Sequence, residues 1–207
     1  MRRFTSAEEL FEKGEVQDKH AYHRLYWTLE EWNATTAAAL DAWFARTPPD
    51  EALHPYTTSE RIRVVAELLG TLRDRLPVWR RQQLAERLRA DAEWLCDGVE
   101  LSLGTHNHLL NNASALSCAS RVFDNDPAAE RWLATARELW DSQWPALVLE
   151  DGSFAEQSSH YHVLLTRTLL EYLRDATLSS RALPDGMWDR ARAMADLTDE
   201  LVRPDGT

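Results

Sequence analysis

Glycine is scarce in this chain, with 7 among 207 residues, and its 8 prolines fall mostly between periodic stretches. With so few turn residues and no alternating run long enough for a convincing strand, the composition points to helices. Cysteine is nearly absent. Cys96 and Cys118 alone leave neither a disulfide framework nor a zinc-finger spacing. No apolar run reaches the ~18 residues that mark a membrane-crossing helix. The opening Met1-Arg-Arg-Phe-Thr-Ser also lacks the apolar segment of an export signal. With Met1 as the native start, the default expectation is a soluble cytoplasmic chain. Basic charge is in deficit too: 23 Lys and Arg face 34 Asp and Glu, a net charge of −11. That field disfavours nucleic acid and anionic membranes as partners, and an acidic substrate would need a local basic groove.

What remains is ordinary globular material, 44% hydrophobic and 28% charged, of a length that suits one domain over residues 1–207. The spacing predicts a short helix over 6–13 and a helical stripe from His20 to Trp32 through Tyr22, Leu25, Tyr26 and Leu29. A further helix follows over Ala34–Arg46, ended by Pro48-Pro49. Thr57-Thr-Ser-Glu60 reads as a capping box ahead of an Ile62, Val65, Leu69, Leu72 stripe. Pro77 suits the first turn of a helix that carries Leu84, Leu88 and Leu95 to Gly98. Leu109, Ala113, Leu116 and Phe123 share a face of a helix from about Asn107 to Val122. Pro127 opens one with Trp132, Ala136, Leu139 and Trp140, which Pro145 is expected to break. Residues 159–178 form the next, and Asp185-Gly186 precedes a last one through Met187, Ala191, Met194 and Leu201. That makes about eight helical segments with short connections, a pattern of stacked antiparallel hairpins.

Nine tryptophans is a high number. Their faces could line a sugar groove, but Trp27, Trp94 and Trp132 fall in or beside apolar stripes and read as core. Arg61 and Arg63 are expected on a solvated face just after the Thr57 cap, with an anion contact as the alternative.

The stretch densest in titratable groups is Asp151-Gly-Ser-Phe-Ala-Glu156-Gln-Ser158-Ser-His-Tyr161-His162. Asp151-Gly152 is a turn signal and Ser158 a candidate N-cap, which puts Tyr161 and His162 in a first helical turn where the macrodipole favours negative charge. Upstream lies His106-Asn107-His108. Zinc fits these histidines poorly, since residues two apart on a helix diverge by about 200° round the axis. There is no HExxH pattern and no G-x-S-x-G elbow. Asp151 and Glu156 as the paired carboxylates of a glycosidase stay open. An amide, an imidazole and a phenol acting together suit β-elimination on a uronic acid. Amide and imidazole donors would neutralise the C5 carboxylate, and the phenol would move the proton.

At these residues the chain resembles the heparinase II/III-like polysaccharide lyases, including their alginate-lyase relatives. Their G-N-H-x-x-x-N-like segment is similar to Gly104-Thr-His-Asn107-His108-Leu-Leu-Asn111-Asn112 here. Their D-G-x-x-x-E-x-S-x-x-Y-H segment is matched at every named position from Asp151 to His162. More weakly, His54-Pro55-Tyr56-Thr-Thr-Ser59-Glu-Arg61 resembles a W-x-x-Y-x-x-S-x-R helix start, with His54 in place of the tryptophan. Asn111 stands where several relatives carry glutamate.

The resemblance implies an all-α fold, an incomplete (α/α) toroid of antiparallel helical hairpins. It implies β-elimination on an acidic polysaccharide or oligosaccharide, with Asn107 and His108 on the carboxylate and Tyr161 as acid or base. Tyr56, Arg61, Asn111, Asn112, Glu156 and His162 would bind substrate or support those groups. No metal or cofactor is implied. Such relatives follow the toroid with a large β-sandwich, and this chain stops at Thr207 without strands, so a fragment or a shortened form is expected. Open toroid ends would favour self-association. The rival expectation is a non-catalytic carbohydrate-binding or scaffold module of the same family.

Overall fold

The computed structural model describes residues 13, 15–45, 53–99 and 107–201. The helix expected over 6–13 (save residue 13), the Pro48-Pro49 break, Gly104–His106 and the last six residues lie outside them. The chain gathers into two compact units, Met1–Leu95 and Cys96–Thr207.

In the first unit, α1 spans Val16–His23, α2 Trp27–Glu30, α3 Ala34–Ala45 and α4 Pro55–Thr71, while α5, Val78–Asp97, carries its last residues into the second. The helix expected from His20 to Trp32 is thus two pieces. Leu25 adopts a left-handed φ of 64° with its side chain fully buried, and the backbone turns there. Thr28 re-anchors the chain, donating from both its amide (2.9 Å) and its hydroxyl (2.7 Å) to the Leu25 carbonyl. Burial of one leucine has overridden a continuous helical stripe. The Thr57 box is also corrected. α4 opens earlier, with His54 as N-cap and Pro55 at the first helical position, where its fixed φ and missing N–H cost nothing. Thr57 to Glu60 lie buried inside the helix. Ile62, Val65, Leu68, Leu84, Leu88 and Leu95 form the apolar core, as the periodicity implies for most of them.

In the second unit, α6 spans Asn107–Val122, α7 Pro127–Leu147, α8 Ser159–Leu178 and α9 Met187–Leu201. α6 is buried on every side from Leu109 to Ser120, which makes it the central helix of the unit. A tight connection reverses the chain into α7, with Asp126 N donating to Phe123 O at 2.8 Å. Asp126 caps α7 by accepting from Ala128 N at 2.9 Å, ahead of Pro127. Pro145 does not break α7. It sits within the last turn, where one missing hydrogen bond is offset by the burial of Trp144 and Leu147. Trp132 and Trp140 are fully buried, and Trp140 stacks on Tyr172 of α8 with centroids 4.5 Å apart. Of the three tryptophans read as core, Trp132 is fully so, while Trp27 and Trp94 are half-buried.

α8 runs alongside α6 in the same direction. Ser114 Oγ donates to Thr168 O (3.4 Å) and Arg121 Nε to Asp175 Oδ1 (3.0 Å), and both pairs are 54 residues apart. A constant offset means parallel helices in fixed register. Among the described residues there is no strand, only a single antiparallel bridge between Val148 and Phe154.

Candidate functional site

The loop from α7 to α8 is built from the Asp151 motif. Leu149 N donates to Ser153 O, Gly152 N to Leu149 O and Ala155 N to Leu147 O, each at 3.0 Å, closing a tight turn around the Val148–Phe154 bridge. Asp151 Oδ1 accepts from the Ser153 hydroxyl (2.7 Å) and amide (2.9 Å). Those two donors, the hydroxyl first, hold the Asp151 carboxyl below its ordinary value although it is fully exposed. Gly152 takes φ +83°, and a Cβ there would meet Ala193 C at 2.5 Å, Ala193 Cβ at 2.7 Å and Met194 N at 2.7 Å. Only glycine fits against α9 at this point. Asp151 and Glu156 are both exposed on this loop.

Gln157 has a left-handed φ of 56° and delivers the chain to Ser158, whose Oγ accepts from Tyr161 N at 3.3 Å as the predicted N-cap. Tyr161 is 41% exposed in the first turn of α8, beside the His160 ring at 5.5 Å. His162 points the other way. It is 2% exposed, and its Nε2 donates to Met194 O at 3.0 Å. The carbonyl partner requires a proton on Nε2, and Nδ1 is buried without a partner among the described residues.

Asn107 and His108 open α6 and are half-buried there, with Asn111 and Asn112 one turn further on and buried. The 54-residue register that aligns Ser114 with Thr168 and Arg121 with Asp175 also aligns Asn107 with Tyr161 and His108 with His162. The amide, imidazole and phenol groups singled out in the sequence therefore begin two parallel helices at one end of the second unit. Two helix N-termini facing the same way give that end a partial positive charge.

Tyr56 and Arg61 belong to the first unit. Tyr56 lies half-buried under the Arg24 guanidinium, 5.1 Å from its ring centroid. The solvated face expected for Arg61 is corrected, because the side chain is fully buried. Nε and Nη2 hold Asp91 at 2.8 Å each, and Nη1 donates to His23 O at 3.2 Å. Arg63 is buried as well, 3.6 Å from Glu60. Arg61 and Arg63 are internal because the helix is capped at His54, three residues earlier than at Thr57, so that they lie in its second and third turns.

Sequence reasoning missed the residues on α9 that receive the loop. Arg190 Nη1 donates to Val148 O at 2.6 Å, and Ala193 and Met194 meet Gly152 and His162. Two of those contacts use backbone, which leaves no signature in residue type. Among the described residues no three of His, Cys, Asp and Glu gather as metal ligands, and no helix is long and apolar enough to cross a membrane.

Residues 79–207 match the model of the Heparinase II/III N-terminus family. A heparin-sulfate lyase of Bacteroides thetaiotaomicron is 26% identical over 130 residues, which are 62% of this chain and 18% of that protein. Among solved structures, a crystal structure of heparinase III superposes with a TM-score of 0.67 at 20% identity, covering 99% of this chain and 33% of that one. A second heparinase III structure, solved with methylated lysines, gives 0.57 at 15% identity over 96% of this chain and 32% of its own length. The chain thus spans a third or less of these relatives, and the likeness of fold extends over nearly all of it. With an all-α architecture of the incomplete (α/α)-toroid type and a family match over most of its length, the chain belongs to the heparinase II/III N-terminus family.

Proposed function

We propose that this chain is the helical part of a polysaccharide lyase that cleaves uronate-containing acidic polysaccharide by β-elimination. In this reading the Asn107 amide and the His108 imidazole hold the C5 carboxylate and spread its charge as the C5 proton leaves. Tyr161 takes that proton or gives one to the departing oxygen at C4. The C5–H electrons form the C4–C5 double bond, the C4–O bond breaks, and the leaving oxygen ends as a hydroxyl. Glu156 and His162 support the tyrosine, and Asn111 and Asn112 the first turn of α6. Tyr56 and Arg61 lie in the other unit, and they act through its internal structure.

One observation carries the proposal: the parallel register of α6 and α8, which sets Asn107 level with Tyr161. An anionic substrate on a chain of net charge −11 needs a locally favourable patch, and two helix N-termini at one end supply it. The half-exposed phenol of Tyr161 is open to a large ligand, while His162 beside it is closed off. Relatives named for heparin make heparin-type sulfated polysaccharide the first substrate to test, with alginate as the second.

The test is growth of ultraviolet absorbance from the unsaturated uronate when the protein meets each polysaccharide. Absorbance growth that vanishes in Tyr161→Phe supports the lyase reading, and no double bond from any uronate polymer sinks it for this chain. The rival is a carbohydrate-binding module of the same family without turnover. It is distinguished by saturable polysaccharide binding in calorimetry with no change in absorbance.

A further inference from the structure

The loop that carries the Asp151 motif touches α9 at three places on one helical stripe. Arg190 grips the Val148 carbonyl, the Ala193–Met194 peptide abuts Gly152, and the Met194 carbonyl accepts from His162. Gly152 and His162 are ten residues apart in sequence, yet they end on consecutive peptides of α9 that share Met194. Between them the backbone passes through Gln157 at a left-handed φ of 56°, a conformation that surrounding contacts must hold in place.

We propose that the backbone of Ala193 and Met194 is the dock that sets the position of Tyr161, with Gly152 and His162 as the positioning residues that reach it, at the Ala193–Met194 peptide and at the Met194 carbonyl respectively. The inference rests on the reading of Tyr161 as the acid or base. Successive residues on a helix point about 100° apart, so fixing His162 inward fixes the direction in which Tyr161 leaves the surface. His162 N donates to Ser158 O at 2.8 Å, and Thr166 Oγ1 donates to His162 O at 2.8 Å, so the first turn is stiffened around this one residue. The Met194 carbonyl also accepts from Thr198 Oγ1 at 2.8 Å, which holds the acceptor itself in place. Any side chain at position 152 would push its Cβ into α9 backbone, which cannot yield as a side chain would. Gly152 and His162 thereby act as two ends of one clamp, with the tyrosine carried between clamp and solvent.

The experiment compares His162→Phe, His162→Gln and Gly152→Ala in the full chain by NMR, reading the Tyr161 ring shifts and amide exchange at residues 162–165. His162→Phe keeps a ring and loses the donor, and His162→Gln returns an N–H to the place of Nε2. Exchange in the first turn of α8 is expected to rise about fivefold or more in His162→Phe, the worth of one ordinary hydrogen bond. The Tyr161 ring shifts should move with it, exchange in α6 should hold steady, and His162→Gln should restore both readings. Gly152→Ala is expected to move the same Tyr161 signals, and if it does not fold, the His162 pair decides. In turnover assays His162→Phe should lower kcat by roughly 10–100-fold at unchanged KM, the scale of a misplaced reacting group. Unmoved Tyr161 shifts in His162→Phe, or exchange that rises equally in α6 and α8, would overturn the dock. Wild-type protein without turnover refutes the lyase reading, and the Tyr161 signals still judge the dock.

Discussion

Arg61 and Asp91 meet as a two-point ion pair inside the first unit, Nε to Oδ2 and Nη2 to Oδ1, both at 2.8 Å and both closed to solvent. Arg87 adds two further bonds to the same carboxylate, and both guanidinium groups lie over the Trp43 ring, at 5.7 Å for Arg61 and 5.4 Å for Arg87. Burial by itself would raise the Asp91 carboxyl, but the charge and hydrogen bonds of Arg61 and then Arg87 outweigh it and hold it below its ordinary value of 3.8.

Removing that carboxylate deprives a buried guanidinium of its two-point charge partner, so Asp91→Ala is expected to cost about 3–5 kcal/mol of stability. The sign of the pH dependence follows from the lowered carboxyl. The unfolded chain takes up the proton first, so the contribution of Asp91 is complete above 3.8 and is lost as pH falls below it. Denaturant melts of wild type and Asp91→Asn should therefore differ by a constant amount at neutral pH and converge only on acidification past that point. A gap that closes already near neutrality would show that the pair contributes otherwise.

Ser158 is a separate lever on the site. Its Oγ accepts the Tyr161 amide, and Ser158→Ala should cost about 1 kcal/mol, with Ser158→Asp keeping most of it. Urea unfolding measures the loss, and Ala and Asp variants of equal stability would deny the cap.

For the chemistry, Tyr161→Phe should lower kcat by roughly 10²–10⁴-fold with polysaccharide affinity nearly intact, since only the hydroxyl is lost. Asn107→Ala should lower it by about 10²–10³-fold, the scale of one preorganised donor to a developing negative charge. Chelator should leave the rate unchanged. Initial rates of double-bond formation decide all three, and activity retained by Tyr161→Phe removes the phenol from the mechanism.

Trp140 tests the core of the second unit. It is fully buried against Tyr172, and its indole N–H finds no acceptor among the described residues. Trp140→Ala should cost about 3–5 kcal/mol. Trp140→Phe should cost clearly less, because it removes an unpaired buried donor along with the volume. Calorimetric melting of the two variants checks the order.

Much of the local structure was legible in the residues themselves. The bounds of α6 and α8, the Ser158 cap, the Asp151-Gly152 turn and the Pro127 helix start all rest on a 3.6-residue period and on side chains that bond their own neighbours. These are short-range rules, and a single sequence carries them in full. The candidate residues Asn107, His108 and Tyr161 were legible for the same reason, as rare groups at helix starts. The break at Leu25, the continuation of α7 through Pro145, the burial of Arg61 on Asp91 and the landing of His162 on the Met194 carbonyl were not. Each is settled by a partner distant in sequence or by burial, and three of them turn on backbone conformation or a backbone carbonyl, which every residue type shares. Sequence by itself determined where α6, α7 and α8 begin and which groups stand at their starts. Only the tertiary structure decided that α6 and α8 run parallel in a register of 54 residues, because that register is held by contacts across the core, between residues no local rule connects.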